Sequence, residues 1–175
     1  MQTTPLKLDP TRPQPILRLG LISDTHGFLD PRVSELLAGV DHILHAGDFG
    51  SRKVLEALNE IAPLTAVLGN TDFEPGYGVT EVVSMAAWRV LIQHIVDPER
   101  PLPGLTRQLA RVRPHAVIFG HTHRCYSARH GGVLFVNPGY AGRPRLQQQR
   151  HLAILDCGQD DVRATFYDLD PALNG

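Results

Sequence analysis

Residues 16–27 read ILRLGLISDTHG, an apolar run closed by Asp24, Thr25, His26 and Gly27. A short run rich in Ile and Leu that stops at a turn signal predicts a buried strand. Next, Asp30-Pro31 offers an N-cap followed by proline at the first helical position. Val33, Leu36 and Leu37 then share one helical face before Gly39 closes it. The unit recurs. DHILHA over 41–46 is a strand ending at Gly47-Asp48, and Ser51 caps a helix over 52–61 that carries Val54, Leu55, Leu58 and Ile61 at helical spacing. Pro63 stops that helix, and LTAVL over 64–68 is a third strand ending at Gly69-Asn70. Three strands alternating with two helices imply parallel βαβ units with right-handed crossovers.

The remainder is more β-rich. Segments 79–85 and 88–93 predict an antiparallel pair turning at Ala86-Ala87, and Pro103 opens a helix to about 112 with Leu105, Leu109 and Val112 inward. Segment 115–119 is a strand running into Gly120-His121-Thr122-His123, and 133–137, 150–156 and 161–167 are further short strands. The organisation is one domain over 16–175, after a Pro-rich and flexible extension over 1–15.

The 175 residues are 42% hydrophobic and 20% charged, enough for one substantial core. A net charge of -1 with no basic stripe argues against an extended nucleic-acid groove. Cys125 and Cys157 match neither a disulfide framework nor a CxxC spacing, and read as apolar fillers in a reducing compartment. No run approaches the roughly 20 apolar residues that span a bilayer. MQTTPLKLDPTRPQP lacks the basic and apolar regions of a signal peptide. A cytoplasmic protein without a membrane partner is expected, and a homo-oligomer is left open.

Residues able to bind metals follow the apolar strands: Asp24 and His26, then Asp48, Asn70, His94, and His121 with His123. In α/β sheets ligands collect at the carboxyl ends of strands, so these positions should converge. Mixed carboxylate, amide and imidazole donors without thiolates suit Mn, Fe, Co, Ni or Zn rather than a structural Cys-zinc site. Singly, each has a plainer reading: a turn cap for Asp24, an Asx-turn for Asp48, left-handed backbone for Asn70, a satisfied core imidazole for His94. The ordered set is what favours the metal site.

SDTHG, GDFG, GNTD, a histidine after an apolar strand, GHTH and the later NPG at 137–139 together resemble the calcineurin-like metallophosphoesterase superfamily, in its small single-domain phosphodiesterase branch. The resemblance implies an α/β (α+β) fold of two stacked mixed β-sheets flanked by helices, a four-layer sandwich. It implies two divalent transition-metal ions, manganese foremost, one held by Asp24, His26, Asp48 and His123 and the other by Asp48, Asn70, His94 and His121. It also implies a hydrolase in which a metal-bridging hydroxide attacks a small phosphodiester in line, with Asp48, Asn70 and His94 in the catalytic machinery. A phosphomonoesterase, or a non-catalytic scaffold like the retromer subunit that resembles this branch, is the alternative. Three positions depart from the pattern. Thr71 stands where many members carry a leaving-group-protonating histidine, Ile95 where glycine is common, and Tyr140 where a small hydroxyl residue is common. Without that histidine, activated leaving groups or another proton source are expected. Asn70 and Arg124 are the substrate-binding candidates, Arg124 as a bidentate phosphate donor or simply a solvated side chain. His45 and Asp72 are candidate supports of the ligands. Phe49 and Phe73 line either a pocket or the core.

Overall fold

A computed structural model describes residues 17–170; the extension read over 1–15 lies outside them. The first sheet contains β1 (Leu17–Ile22), β2 (His42–His45), β3 (Leu64–Ala66), β9 (His151–Cys157) and β10 (Val162–Asp168), in the order β10-β9-β1-β2-β3. The first three run parallel and β9 and β10 antiparallel to them. The second sheet, ordered β4-β5-β6-β8-β7, contains β4 (Thr80–Met85), β5 (Trp88–Gln93), β6 (Ala116–Ile118), β7 (Tyr126–His130) and β8 (Val133–Asn137). β5, β6 and β8 are parallel, with antiparallel strands at both edges.

Strand alternation sorts the side chains into layers. Leu19, Leu21, Leu44 and Leu155 of the first sheet meet Val90, Ile92, Ile118 and Val136 of the second in one buried core. Ile22, Ile43 and Ile154 point the other way and pack with Val33 of α1 (Arg32–Leu36), Leu37 at its end, and Val54 and Leu58 of α2 (Arg52–Ile61). Leu91, Val117 and Phe135 cover the far face of the second sheet with Leu105 of α3 (Pro103–Val112). The result is helix, sheet, sheet, helix. Truncating a fully buried leucine such as Leu58 in these layers costs about 2–5 kcal/mol.

The local signals act as read, except that α1 opens one residue later, with Pro31 as its N-cap and not its first helical residue. The Asp30 carboxylate takes the Arg32 amide at 3.0 Å, Ser51 accepts from Lys53, and the β4–β5 turn places Met85 opposite Trp88. β7 is the element the pattern does not announce, because its five residues are half-exposed or exposed on a sheet edge and carry no apolar alternation. Cys157 is buried, whereas Cys125 is exposed rather than a core filler. Phe49 belongs to the core, packed with Leu55 and Ala66, while Phe73 is 92% exposed.

Candidate metal centre

The parallel strands of both sheets deliver their carboxyl ends to one edge. There the segment after β1 is zipped onto the segment after β2: Asp24 N donates to Gly47 O, His26 N to Asp48 O and Gly27 N to Phe49 O, at 2.8–3.0 Å. The sheets are joined by His94, whose Nδ1 donates to Ala46 O at 2.7 Å, and by the His121 amide, which donates to the Asp24 carboxylate at 3.1 Å. Buried Asn137 of the NPG segment donates to Gly120 O and Thr122 Oγ1 while accepting from Gly139 N, and so fixes the GHTH loop.

All seven candidate ligands come together. His26 Nε2 and His123 Nε2 are 3.4 Å apart, and His123 Nε2 is 3.3 Å from Asp24 Oδ1. His94 Nε2 lies 3.2 Å from Asn70 Oδ1, 3.5 Å from Asp48 Oδ2 and 4.0 Å from Asp24 Oδ1. Asn70 Oδ1 also reaches His121 Nδ1 at 2.9 Å. Asp48 Oδ2 stands between the halves, 3.9 Å from His26 Nε2. Two groups, Asp24 with His26 and His123, and Asp24 with Asp48 and His94, each hold their donor atoms within 4.8 Å of one another.

The backbone is bent to make this possible. Asp24, His26, Asp48, His121 and His123 all have φ between 45° and 70°, the left-handed region that side-chain-bearing residues avoid. Backbone strain concentrated on five donors is typical of a functional site. Two glycines make room: a Cβ on Gly69 would lie 2.0 Å from Asp48 Oδ1, and one on Gly120 would lie 2.0 Å from Ser23 Oγ. The left-handed donors are the feature that residue types alone do not reveal.

The electrostatics ask for a cation. Asp24 is fully buried, and among the described residues it pairs with no Lys or Arg. Burial, aided by repulsion from Asp48 and Asp72 and opposed by the Ser23 hydroxyl and His121 amide, pushes its pKa from 3.8 to about 7. Burial lowers the pKa of His94, and burial together with the neighbouring His26 and Arg145 lowers that of His123. Burial alone would raise Asp48, but the Thr71 amide and hydroxyl and the nearby imidazoles outweigh it and hold it below the usual carboxylate range. With its Nδ1 proton committed to Ala46, neutral His94 turns the lone pair of Nε2 toward oxygens of Asn70, Asp48 and Asp24. A divalent ion resolves that convergence. N and O ligands about 2.1 Å from an ion stand roughly 3–3.5 Å from each other, the spacing seen here.

Supporting residues hold these donors from behind. Asp72 accepts the amides of Gly50, Gly69 and Phe49 at 2.8–3.2 Å, tying the loop after β2 to the loop after β3. Fully buried His45 accepts from Gly47 N on Nδ1, so its Nε2 donates to Thr25 Oγ1, which donates on to Phe49 O. Burial keeps it neutral, with a pKa near 3. The Tyr140 ring is fully buried 4.8 Å from the His123 ring and 6.1 Å from His26. Arg124 is exposed beside His121 and His123, on an open cleft of about 940 Å³. The reading from residues passed over Ser23, whose hydroxyl donates to Asp24 at 2.6 Å, and Arg143 and Arg145. The acid-free run GRPRLQQQR over 142–150 was the available signal for the arginines.

Known proteins resemble this chain in sequence and in fold. A probable metallophosphoesterase of Methanothermobacter thermautotrophicus is 32% identical over 140 residues, 73% of this chain and 79% of that protein. The phosphodiesterase YfcE of Escherichia coli is 28% identical over 169 residues, 81% of this chain and 88% of that one. Among solved structures, Vps29 of Chaetomium thermophilum superposes with a TM-score of 0.75 over 91% of each chain at 21% identity, a likeness of fold. The calcineurin-like phosphoesterase superfamily domain matches residues 17–160, which includes every donor described above, and the chain belongs to that superfamily.

Proposed function

We propose that this chain is a binuclear-metal-dependent phosphoesterase acting on small phosphodiesters. The observation that carries the reading is the convergence of seven donors from five strand ends, with imidazole lone pairs turned toward carboxylate and amide oxygens. One ion would be held by Asp24, His26, Asp48 and His123, the other by Asp48, Asn70, His94 and His121. The position of Asp48 Oδ2, facing His94 of one set and His26 of the other, supports the shared role. Bound there, a divalent pair supplies Lewis acidity that makes water nucleophilic at neutral pH and neutralises charge on phosphoryl oxygens.

The chain's own residues do the rest. Asn70 commits its Oδ1 toward His94 and His121, which leaves its amide N–H groups on the exposed side for a phosphoryl oxygen. Arg124 adds a guanidinium at the cleft. Thr71 orients Asp48 through its amide at 2.9 Å, and its hydroxyl is no acid at neutral pH. The site therefore suits esters whose leaving group departs unaided. A diester is favoured over a monoester by the relative named a phosphodiesterase and by the open cleft beside His121 and His123, which has room for a second substituent. The rival reading, a scaffold, draws on the likeness to Vps29, but a scaffold gives no reason to keep seven converging donors.

Metal analysis of the purified protein, paired with hydrolysis of bis-p-nitrophenyl phosphate and p-nitrophenyl phosphate under Mn²⁺, tests the proposal. About two ions per chain and faster diester turnover are expected; no metal and no turnover with any divalent ion would refute it. Asp48→Asn removes an anionic donor from both ions, and should lower turnover at least about a thousandfold, some 4 kcal/mol of barrier. Two retained ions in that variant would end the shared assignment.

A further inference from the structure

The segment joining the NPG turn to β9 carries cations that no carboxylate among the described residues neutralises. Of its three arginines, Arg150 is buried and bound to Asp30 at 2.9 Å and Asp170 at 2.8 Å. Arg143 and Arg145 are exposed, and among the described residues neither pairs with a carboxylate. Both are nevertheless held in place. The Arg143 guanidinium sits 5.1 Å from the ring centre of Phe28, two residues after His26, and that of Arg145 sits 5.2 Å from the ring centre of Tyr140, which packs on His123. Pro144 between them fixes a backbone angle and lowers the entropy lost in holding both. A guanidinium held over a ring keeps edge N–H donors that can grip an oxyanion bidentately, and Arg145 spends one of its own on the Tyr140 hydroxyl. Gln147, Gln148 and Gln149 follow directly and line the cleft with His121, His123 and Arg124. The one carboxylate on that cleft, Asp170, is already engaged by Arg150.

We propose that Arg143 and Arg145 form an anion subsite beside the metal centre, so that the preferred phosphodiester carries a second phosphate a short distance from the scissile one. The inference rests on the phosphodiesterase reading and narrows its substrate class to esters of phosphorylated nucleosides or similar twice-phosphorylated molecules. Two arginines held over Phe28 and over Tyr140, the latter ring packed on His123, with no carboxylate partner among the described residues, keep donors for a group the protein does not itself supply.

The test compares thymidine 5′-(p-nitrophenyl phosphate) with the same diester bearing a 3′-phosphate. The 3′-phosphate should lower KM about tenfold in the wild type, the effect of one charge-assisted contact. That ratio should fall to about one in the Arg143→Gln/Arg145→Gln double variant and be partly kept when both become Lys. Calorimetry on the metal-loaded protein should give the same ratio for thymidine 3′,5′-bisphosphate over thymidine 5′-monophosphate, and the same loss. Equal KM values in the wild type, or a preference that survives both glutamine substitutions, overturn the subsite. If neither ester is hydrolysed and no metal binds, the phosphodiesterase reading fails instead, and the calorimetric ratio on the metal-free chain then decides the subsite by itself.

Discussion

Asp24→Asn should stabilise the metal-free protein while weakening its response to metal. Asp24 is fully buried, and burial raises its pKa from 3.8 to about 7. An acid whose folded pKa lies above its unfolded one binds its proton more tightly in the folded state. Its unfavourable contribution is therefore absent at low pH, grows as pH climbs from about 4 to about 7, and is constant beyond. Three pKa units correspond to about 4 kcal/mol at pH 8 and about half that at pH 5. The carboxamide fits the site. With its oxygen in the Oδ2 position it keeps the bonds from Ser23 Oγ and the His121 amide, and its NH₂ then faces the His123 lone pair. At 2–4 °C per kcal/mol for a chain of this size, the metal-free variant should melt roughly 10 °C higher at pH 8 and clearly less so at pH 5. Adding Mn²⁺ should raise the wild-type melting temperature and raise that of the variant, which loses a donor to one of the two ions, clearly less. Calorimetric scans with and without chelator read both effects. A variant that is less stable at pH 8, or equally stabilised at both pH values, refutes the reasoning.

Three further outcomes are expected. Tyr140→Phe keeps the ring beside His123 and loses the hydroxyl's bonds to Arg143 O and the Arg145 side chain, about 1–2 kcal/mol, whereas Tyr140→Ala should cost about 3–5 kcal/mol and weaken metal binding about 10–100-fold, measured by competition with a chelating dye. Arg150→Met removes one partner from Asp30, which keeps Arg32, and the partner of the partly exposed Asp170, and should cost about 1.5–3 kcal/mol by denaturant titration. Burial opposes, and the bonds from Arg32 and Arg150 outweigh, so the pKa of Asp30 is lowered; its stabilisation is present above 3.8 and disappears as pH falls through that lower value, so wild type and variant should converge in acid. Thr71→His places an imidazole on the exposed side of Asn70 and should speed hydrolysis of phenyl esters about tenfold relative to p-nitrophenyl esters, within the range of general acid catalysis; an unchanged leaving-group dependence would show that protonation is not limiting.

Much of this was legible in the residues because two periodicities did the work. Alternation in the strands fixed what faces the inter-sheet core, and polar residues at strand ends marked the edge where ligands gather, so Asp24, Asp48, Asn70 and His121 could be grouped across a hundred positions. β7 escaped because an edge strand exposed on one face needs no apolar pattern. Arg143 and Arg145 escaped because their place depends on Phe28 and Tyr140, partners set by tertiary contact and not by spacing. The pairing of His94 with Ala46 O, which decides which imidazole nitrogen is free, is likewise a contact between sheets that no local signal encodes.

The strain in the ligand loops and the charge of Asp24 have a common meaning. Five donors in left-handed backbone cost on the order of 1 kcal/mol each, and the buried carboxylate adds its own penalty above neutral pH. Neither is relieved by any cation among the described residues. The rest of the fold over-determines them: Asp72 clamps three amides, His45 locks Thr25 to Phe49, Asn137 pins Gly120, and two sheets share one core beneath. A chain selected for stability alone would relax such an edge by placing glycine or asparagine at these positions. Keeping aspartate and histidine there makes sense when a bound cation offsets the cost, because donors already held in place lose little further entropy on binding it. The metal-free fold should therefore be the less stable form, with its softest point at the loops carrying Asp24, Asp48 and His121; hydrogen exchange that slows at those three loops first when Mn²⁺ is added, and not uniformly across the sheets, is the outcome this argument requires.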